Sequence, residues 1–434
     1  MMTLALMGFA TVATFIILIM TKRLSAVVAL IAVPIIFGLF VQGDGNLGEM
    51  VVSGILQVAP IALLLAFAIL FFGIMMDAGL FDPLVKRILH LVGNDPLRIS
   101  VGTATLSSIV SVDGDGTTTA LIVITALLPV YRAIGMNPLI LATLLGLSNA
   151  VMNLVPWGGP SARAAAALNL DLVSDLFIPL LPAMCLGLVA TFSLAWYLGL
   201  SERKRLEWKP ADMQGGAAVS MASPPERRPH LFWPNLLLTL GLMAGMFSGL
   251  APLPVLMMGA FAIAVSINYP NLKAQRDRID AHSMNVVMVV ALIFAAGSLT
   301  GIMEGTGMLN AMAQALIAGI PNAMGPYLAP VTALLSLPLT FLMSNDAYYF
   351  GIVPVLAEAA SAFGITAEVI GRASMMGQPV HQLSPLLAPV YLACAMLEVE
   401  VADVQRFALK YAAMISFILF IGAVASGAIP FITR

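Results

Sequence analysis

Apolar runs about as long as a bilayer-spanning helix, nearly free of charge, recur from one end of this chain to the other. No other feature constrains its fold so tightly. A helix that crosses a hydrocarbon core needs about 20 predominantly apolar residues. Runs of this kind occupy 4–20, 24–41, 51–76, 137–170, 172–199, 233–250, 252–270, 284–305, 365–398 and 405–430. Two more apolar regions, 97–133 and 326–364, are each split by a polar cluster, and their halves are rather short for full spans. Charged residues are 10% of the 434 and hydrophobic ones 60%, whereas a soluble domain carries about 25% charge. The expected class is therefore an all-α polytopic membrane protein with the lipid bilayer as its partner. A net charge of −2 argues against nucleic acid. Cys185 and Cys394 sit in apolar runs and read as small buried hydrophobes. Basic residues Lys22 and Arg23 follow the first apolar run rather than precede it, so that run reads as a span and not as a cleavable signal.

The one long polar stretch, 201–230, divides the chain nearly in half, and the halves resemble each other. With an offset of 228, Gly73-Ile74-Met75 and Gly79 fall on Gly301-Ile302-Met303 and Gly307; with an offset of 225, Pro129-Val130, Ala142, Gly146 and Pro160 fall on Pro354-Val355, Ala367, Gly371 and Pro385. Cytoplasmic loops keep positive charge. Lys22-Arg23, Lys86-Arg87, Arg98, Arg132, the 201–230 linker, Lys273, Arg276, Arg278, Arg406 and Lys410 are thus expected inside, and the loop 42–50, with Asp44 and Glu49, outside. Counting spans from there puts the N-terminus outside and starts the second half on the opposite side. The expected organisation is a first repeat over 1–200, a cytoplasmic linker over 201–230 and an inverted second repeat over 231–434. Inverted halves around a midplane site are the architecture of secondary transporters.

Four polar interruptions fall at membrane depth, two in each half. SVDGDGTTT (111–119), with Arg98 and Arg132 flanking its region, reads as the tip of a re-entrant hairpin over 97–133; MSNDAYYFG (343–351) is its partner over 326–364. NLVPWGGPSAR (153–163) and GQPVHQLSP (377–385) interrupt the apolar runs 137–170 and 365–398 as broken helices. Irregular backbone at this depth must be buried in protein or line a wet cavity. Broken helices offer free N–H groups to carboxylates and free carbonyls to cations. Asp113, Asp115 and Asp346 are carboxylates where a charge costs roughly 3 kcal/mol or more. They read as proton- or cation-coupling groups, against the alternative that they cap the hairpin helices. Arg163 follows the Pro156-Trp157-Gly158-Gly159-Pro160 break, and its planar fork suits a carboxylate; the alternative is an interfacial arginine that reaches water. His381 is the one histidine of four inside a broken helix, suited to proton exchange or to a structural hydrogen bond; His90, His230 and His282 fall in interfacial segments. The candidate substrate-binding set is Thr117, Thr118, Asn149, Asn153, Gly158, Gly159, Ser161, Arg163, Ser344, Asn345, Gln378, His381 and Ser384. The coupling candidates are Asp113, Asp115, Asp346 and His381.

MTKRLSAVVALIAVPIIFGL, GIMMDAGLFDPLVKRIL, VDGDGTTT, NLVPWGGPSARAA, MSNDAYYFGIVPV and GQPVHQLSPLLAPVYL resemble the citrate–metal:proton symporter family of the ion transporter superfamily, over essentially the whole chain. The resemblance implies uptake of a citrate complex of Mg²⁺, Ca²⁺ or a related metal across the inner membrane, driven by protons. It implies no permanently bound cofactor and no enzymatic activity. A homodimer follows too, with scaffold and transport domains moving as an elevator. Sodium-coupled dicarboxylate relatives place Ser-Asn-Thr at both hairpin tips. Here the tips read Asp113-Gly114-Asp115-Gly116-Thr117 and Ser344-Asn345-Asp346, which argues against sodium and makes Asp113, Asp115 and Asp346 the candidates for meeting the metal of the complex. The charge arithmetic agrees. Moving each negative charge inward costs roughly 2.3 kcal/mol per 100 mV, and a divalent cation reduces trivalent citrate to −1. The rival reading is a carrier of another di- or tricarboxylate or anion. An intramembrane aspartyl protease is remote, because Gly-Asp-Gly-Thr is not the arrangement of that chemistry and the repeat would go unexplained.

Overall fold

The computed structural model describes residues 2–42, 46–114, 116–209, 227–321 and 323–433. Asp44 of the expected external loop, the coupling candidate Asp115 and most of the 201–230 linker lie outside them. Among the described residues every regular element is helical. Eight helices are long and apolar enough to cross a membrane: Met2–Met20, Leu47–Asp77, Gly116–Ile134, Leu172–Arg205, Pro229–Phe247, Leu272–Gly305, Gly325–Leu342 and Val401–Ala425. Leu6, Phe40, Leu56, Trp196, Leu237 and Ile421 are each more than half exposed on the outside of the bundle. Burying such a side chain is worth about 1.5–3 kcal/mol, so this surface requires hydrocarbon around it. Cys185, expected to be buried, is exposed on that surface instead, while Cys394 is buried.

The order of elements repeats. Two helices, Met2–Met20 and Ala26–Gln42, precede the long helix Leu47–Asp77 and the short Asp82–Val92; Phe232–Phe247 and Leu253–Asn268 precede Leu272–Gly305 and Met308–Gly319 in the same order. Each half continues with a hairpin, a broken helix and a last span, Ile178–Arg205 or Val401–Ala425. The two long helices cross through glycine. A Cβ built on Gly54 would lie 2.0 Å from the carbonyl oxygen of Gly297, and one on Gly301 would lie 2.1 Å from that of Met50. Gly297, Gly301 and Gly305 recur every four residues, the small-residue spacing that lets membrane helices approach backbone to backbone. Further along, Gly73 meets His282, and Asp77 meets Arg278 at 3.3 Å. Residue numbers fall on one helix as they rise on the other, so these counterparts run antiparallel.

The last spans do the same, with Gly187 against Leu419 and Ala183 against Gly422. Each also fixes the direction of its own hairpin. In the first half, Asp95 caps Pro96–Val110 by accepting from the Leu97 N–H at 3.0 Å. Arg203, at the end of Ile178–Arg205, grips the same carboxylate at 2.5 and 2.7 Å. Arg205 reaches the carbonyl of Gly135, just past Gly116–Ile134, at 2.6 Å. Both ends of the hairpin are therefore held at one end of one span. In the second half, Gly325 lies under the ring of Phe363, and the N–H of Thr433 donates to Pro326 at 3.1 Å, which gathers both hairpin ends near the chain's end. Because the last spans are antiparallel, the two hairpins enter from opposite faces.

Gly301→Ala should cost about 1–3 kcal/mol by overpacking, read as thermal unfolding of detergent-purified protein. Gly259→Ala, whose Cβ meets nothing within 4 Å, should be neutral or add up to about 1 kcal/mol of helix stability. Equal effects at the two positions would mean that the glycine crossing does not hold the long helices together.

Candidate functional site

Proline and glycine make the first break. Pro138–Met152 ends at Asn153, and the chain turns before Gly159–Leu168 starts with Pro160 in its first turn. Gly158 is required there, since a Cβ would lie 1.9 Å from the Asn153 carbonyl oxygen. Side chains close the turn on itself. Asn153 Oδ1 accepts from the Gly159 N–H at 3.2 Å, and Ser161 Oγ donates to the carbonyl of Leu154 at 3.1 Å. Trp157 donates from Nε1 to the carbonyl of Val112 at 2.7 Å, tying the break to the tip of the first hairpin, and its ring centroid lies 5.2 Å from that of Phe72 on the long helix.

That tip is a 3₁₀ turn, Ser111–Asp113, followed by Gly114 at φ +81°, a conformation that favours glycine. Asp113 is half-buried in the turn; Thr117 is exposed and Thr118 half-buried in the first turn of Gly116–Ile134. A Cβ on Gly116 would lie 3.0 Å from Nδ2 of buried Asn149, so that side chain faces the tip.

The second tip starts at Ser344, whose Oγ accepts from the Ala347 N–H at 3.2 Å. Helix Asn345–Ala347 then runs through a wider π turn, Tyr348–Ile352, into Val353–Ser361. The second break is more finely divided than the sequence suggests: Ala367–Ser374, a 3₁₀ turn, Gln378–His381 and, after an irregular stretch, Ala388–Leu397. It is laced to the first arm of its hairpin. Thr340 Oγ1 donates to the Gly377 carbonyl at 3.3 Å, His381 Nδ1 lies 2.6 Å from the Thr340 carbonyl, and Ser384 Oγ donates to that of Phe341 at 2.8 Å.

Arg163 and Asp346, 183 positions apart and from different halves, meet between these elements. Arg163 Nε donates to Asp346 Oδ1 at 2.6 Å and Nη1 to the Gly159 carbonyl at 3.1 Å. Their side chains are 24% and 18% exposed. Gln378 Nε2 donates to Tyr349 Oη at 3.1 Å and to Asn345 Oδ1 at 3.4 Å. His381 lies one helical turn from Gln378, on the same short helix. The structure thus brings Arg163, Asn345, Asp346, Gln378 and His381 into one polar cluster. It gathers Asp113, Thr117, Thr118 and Asn149 at the other tip. Asn153, Ser161, Ser344 and Ser384 bond nearby backbone. Among the described residues no three His, Cys, Asp or Glu side chains gather as a metal-holding group.

Two partners of this cluster, Thr340 and Tyr349, and one residue at the first tip, Trp157, escape sequence reasoning. Trp157 carries a signal, because an indole N–H inside a helix break needs an acceptor. Outside the site, His282 pairs with a carboxylate from another helix. It lies well inside Leu272–Gly305, with Nε2 2.9 Å from Asp77 Oδ2.

Residues 15–377 match the family model described as Citrate transporter. The chain is 51% identical over 428 residues to the "Citrate transporter" of Bacillus subtilis (strain 168), covering 99% of this chain and all of that one. It is 46% identical over 431 residues to the same organism's "Mg(2+)/citrate complex secondary transporter", covering 98% and 99%. Its fold is similar to the crystal structure of the YdaH transporter of Alcanivorax borkumensis, with a TM-score of 0.56 and 14% identity over 90% of this chain and 91% of that one.

A double-mutant cycle with Arg163→Gln and Asp346→Asn should show coupling of about 0.5–3 kcal/mol in thermal stability. The double variant should be less damaged than the single effects predict. Additive losses would show that the two side chains do not stabilise each other.

Proposed function

The chain belongs to the citrate transporter family, and from that premise we propose that it imports citrate complexed with a divalent cation, Mg²⁺ or Ca²⁺ in type, in symport with protons. The Arg163–Asp346 pair carries this reading. With Nε and Nη1 engaged, the guanidinium is already compensated, and a carboxylate of the cargo must compete with Asp346 for it. Protonating Asp346 removes the competing charge and frees the planar fork for bidentate contact. Cargo and proton then load together. The name of the second Bacillus relative supports a metal complex as cargo. Asp113, at the first tip, and Asp115 are further candidates for coupling or for meeting the cation. Thr117, Thr118, Asn149, Ser344 and Asn345 are candidates for the cargo's remaining oxygens.

The opposed hairpins suit alternating access. In the proposed arrangement the long helices and their neighbours form a scaffold at a homodimer interface in the inner membrane, the hairpins and broken helices move against it as an elevator, and the N-terminus lies outside. Single-cysteine labelling should then find residue 251 outside and residue 275 inside.

Purified protein in proteoliposomes should take up isotopic citrate in sodium-free buffer, with the outside acidic, only when Mg²⁺ or a similar cation is present. Arg163→Lys keeps the charge and loses the fork, so the apparent KM should rise about tenfold with a smaller change in maximum rate. Asp346→Asn should bind cargo without a proton there, flattening the pH dependence. Uptake that needs sodium and ignores divalent metals would overturn the proposal.

A further inference from the structure

Two acceptor atoms in the polar cluster have no hydrogen-bond partner. Gln378 is 1% exposed and His381 2%, yet neither Gln378 Oε1 nor His381 Nε2 is bonded. Leaving a buried acceptor unmatched costs about 1–3 kcal/mol, so two of them one helical turn apart need a reason.

Neither group can turn to relieve the cost. The Gln378 amide is oriented by its Nε2 donations to Tyr349 and Asn345. The His381 ring is oriented by Nδ1, which lies against the carbonyl of Thr340. A carbonyl only accepts, so Nδ1 carries a hydrogen, and in the neutral ring the lone pair is on Nε2. This is the arrangement that metal-binding histidines use: one ring nitrogen donates to backbone and thereby presents the other as a ligand. Residues 378 and 381 are one helical turn apart and share a face. The two atoms are an uncharged oxygen and an uncharged nitrogen, both Lewis bases.

We infer that Gln378 Oε1 and His381 Nε2 are the cation-facing side of the cargo site, meeting the divalent metal of the citrate complex while Arg163 meets a free carboxylate. The inference rests on the proposed cargo and names which residues read its metal. Citrate supplies most ligands; these two side chains add neutral ones, enough to select a cation without stripping it from citrate. Imidazole suits Co²⁺, Ni²⁺ and Zn²⁺, whereas Mg²⁺ and Ca²⁺ prefer oxygen. His381 therefore sets the relative acceptance of these ions.

The test is citrate uptake by the full chain in proteoliposomes with Mg²⁺, Ca²⁺, Mn²⁺ and Co²⁺ supplied in turn. His381→Gln keeps a polar side chain and removes the imidazole. It should lower the apparent affinity for Co²⁺ citrate relative to Mg²⁺ citrate about tenfold, while Arg163→Lys weakens all complexes alike. Pulsed electron paramagnetic resonance of Mn²⁺ citrate bound to the unaltered protein should show nitrogen modulation from one imidazole, lost in His381→Gln and kept in His282→Gln. Equal weakening for every metal, no weakening, or no imidazole modulation in the unaltered protein would overturn the inference. Metal-independent uptake by the unaltered protein would instead remove the cargo on which it rests.

Discussion

A helix broken inside a bilayer exposes amides and carbonyls that lipid cannot satisfy, at several kcal/mol for each group left bare. Among the described residues the helices are interrupted at four places, and most of the architecture follows from enclosing them. Each break is answered by specific side chains. Trp157 reaches the Val112 carbonyl at the first tip, and Asn153 caps the restart at Gly159. Thr340, Ser384 and Gln405 take the carbonyls of Gly377, Phe341 and Leu383. The Trp157, Thr340 and Ser384 bonds form only where a hairpin lies against a break, so folding the hairpins inward and breaking the helices are coupled. The large outer helices then shield the result from lipid, with the long pair close enough to do so only because Gly54, Gly297 and Gly301 lack side chains.

The repeat supplies symmetry that the site then departs from. An offset of 225 places Asn153 on Gln378, Pro156 on His381 and Arg163 on Ala388. The two amides occupy the same place in their breaks but do different work. Asn153 turns back to its own backbone, whereas Gln378 reaches across to Asn345 and Tyr349. Arginine has no counterpart in the second half, and the carboxylate that meets it comes from the second hairpin. The polar centre is thus asymmetric within a nearly symmetric frame. In the proposed cycle the two repeats exchange conformations around one chemically directional site.

Much of this frame is legible in the sequence because it rests on local chemistry. Polar clusters splitting 97–133 and 326–364 announce the hairpins, and Pro156, Gly158, Gly159 and Pro160 announce the first break. The second break is harder to read: only Gly377, Pro379 and Pro385 mark it, and its division into four pieces depends on Thr340 and Ser384 bonds made across the fold. The pairing of Arg163 with Asp346 is invisible over 183 positions, since either residue alone is equally consistent with a cap or an interfacial charge. The same holds for His282, whose partner Asp77 comes from another helix 205 positions away. Cys185 shows the converse: in a membrane an apolar neighbourhood predicts contact with lipid as readily as burial.

Charge balance explains why proton and cargo must travel together in the proposed cycle. In the empty pocket Arg163 and ionised Asp346 cancel. A citrate complex of net −1 arriving without a proton would leave one negative charge uncompensated in the membrane. A proton on Asp346 without cargo would leave Arg163 positive and unpaired. Either half-loaded state costs roughly 3 kcal/mol or more at membrane depth, which reduces its population more than a hundredfold. When both load, guanidinium and cargo cancel and Asp346 is neutral. The empty and fully loaded pockets are both uncharged at this pair and free to cross; the half-loaded ones are held back. Coupling of this kind requires no distant relay. It requires only that one arginine serve two anions in turn, and the 2.6 Å bond between Arg163 and Asp346 puts the first of them in place.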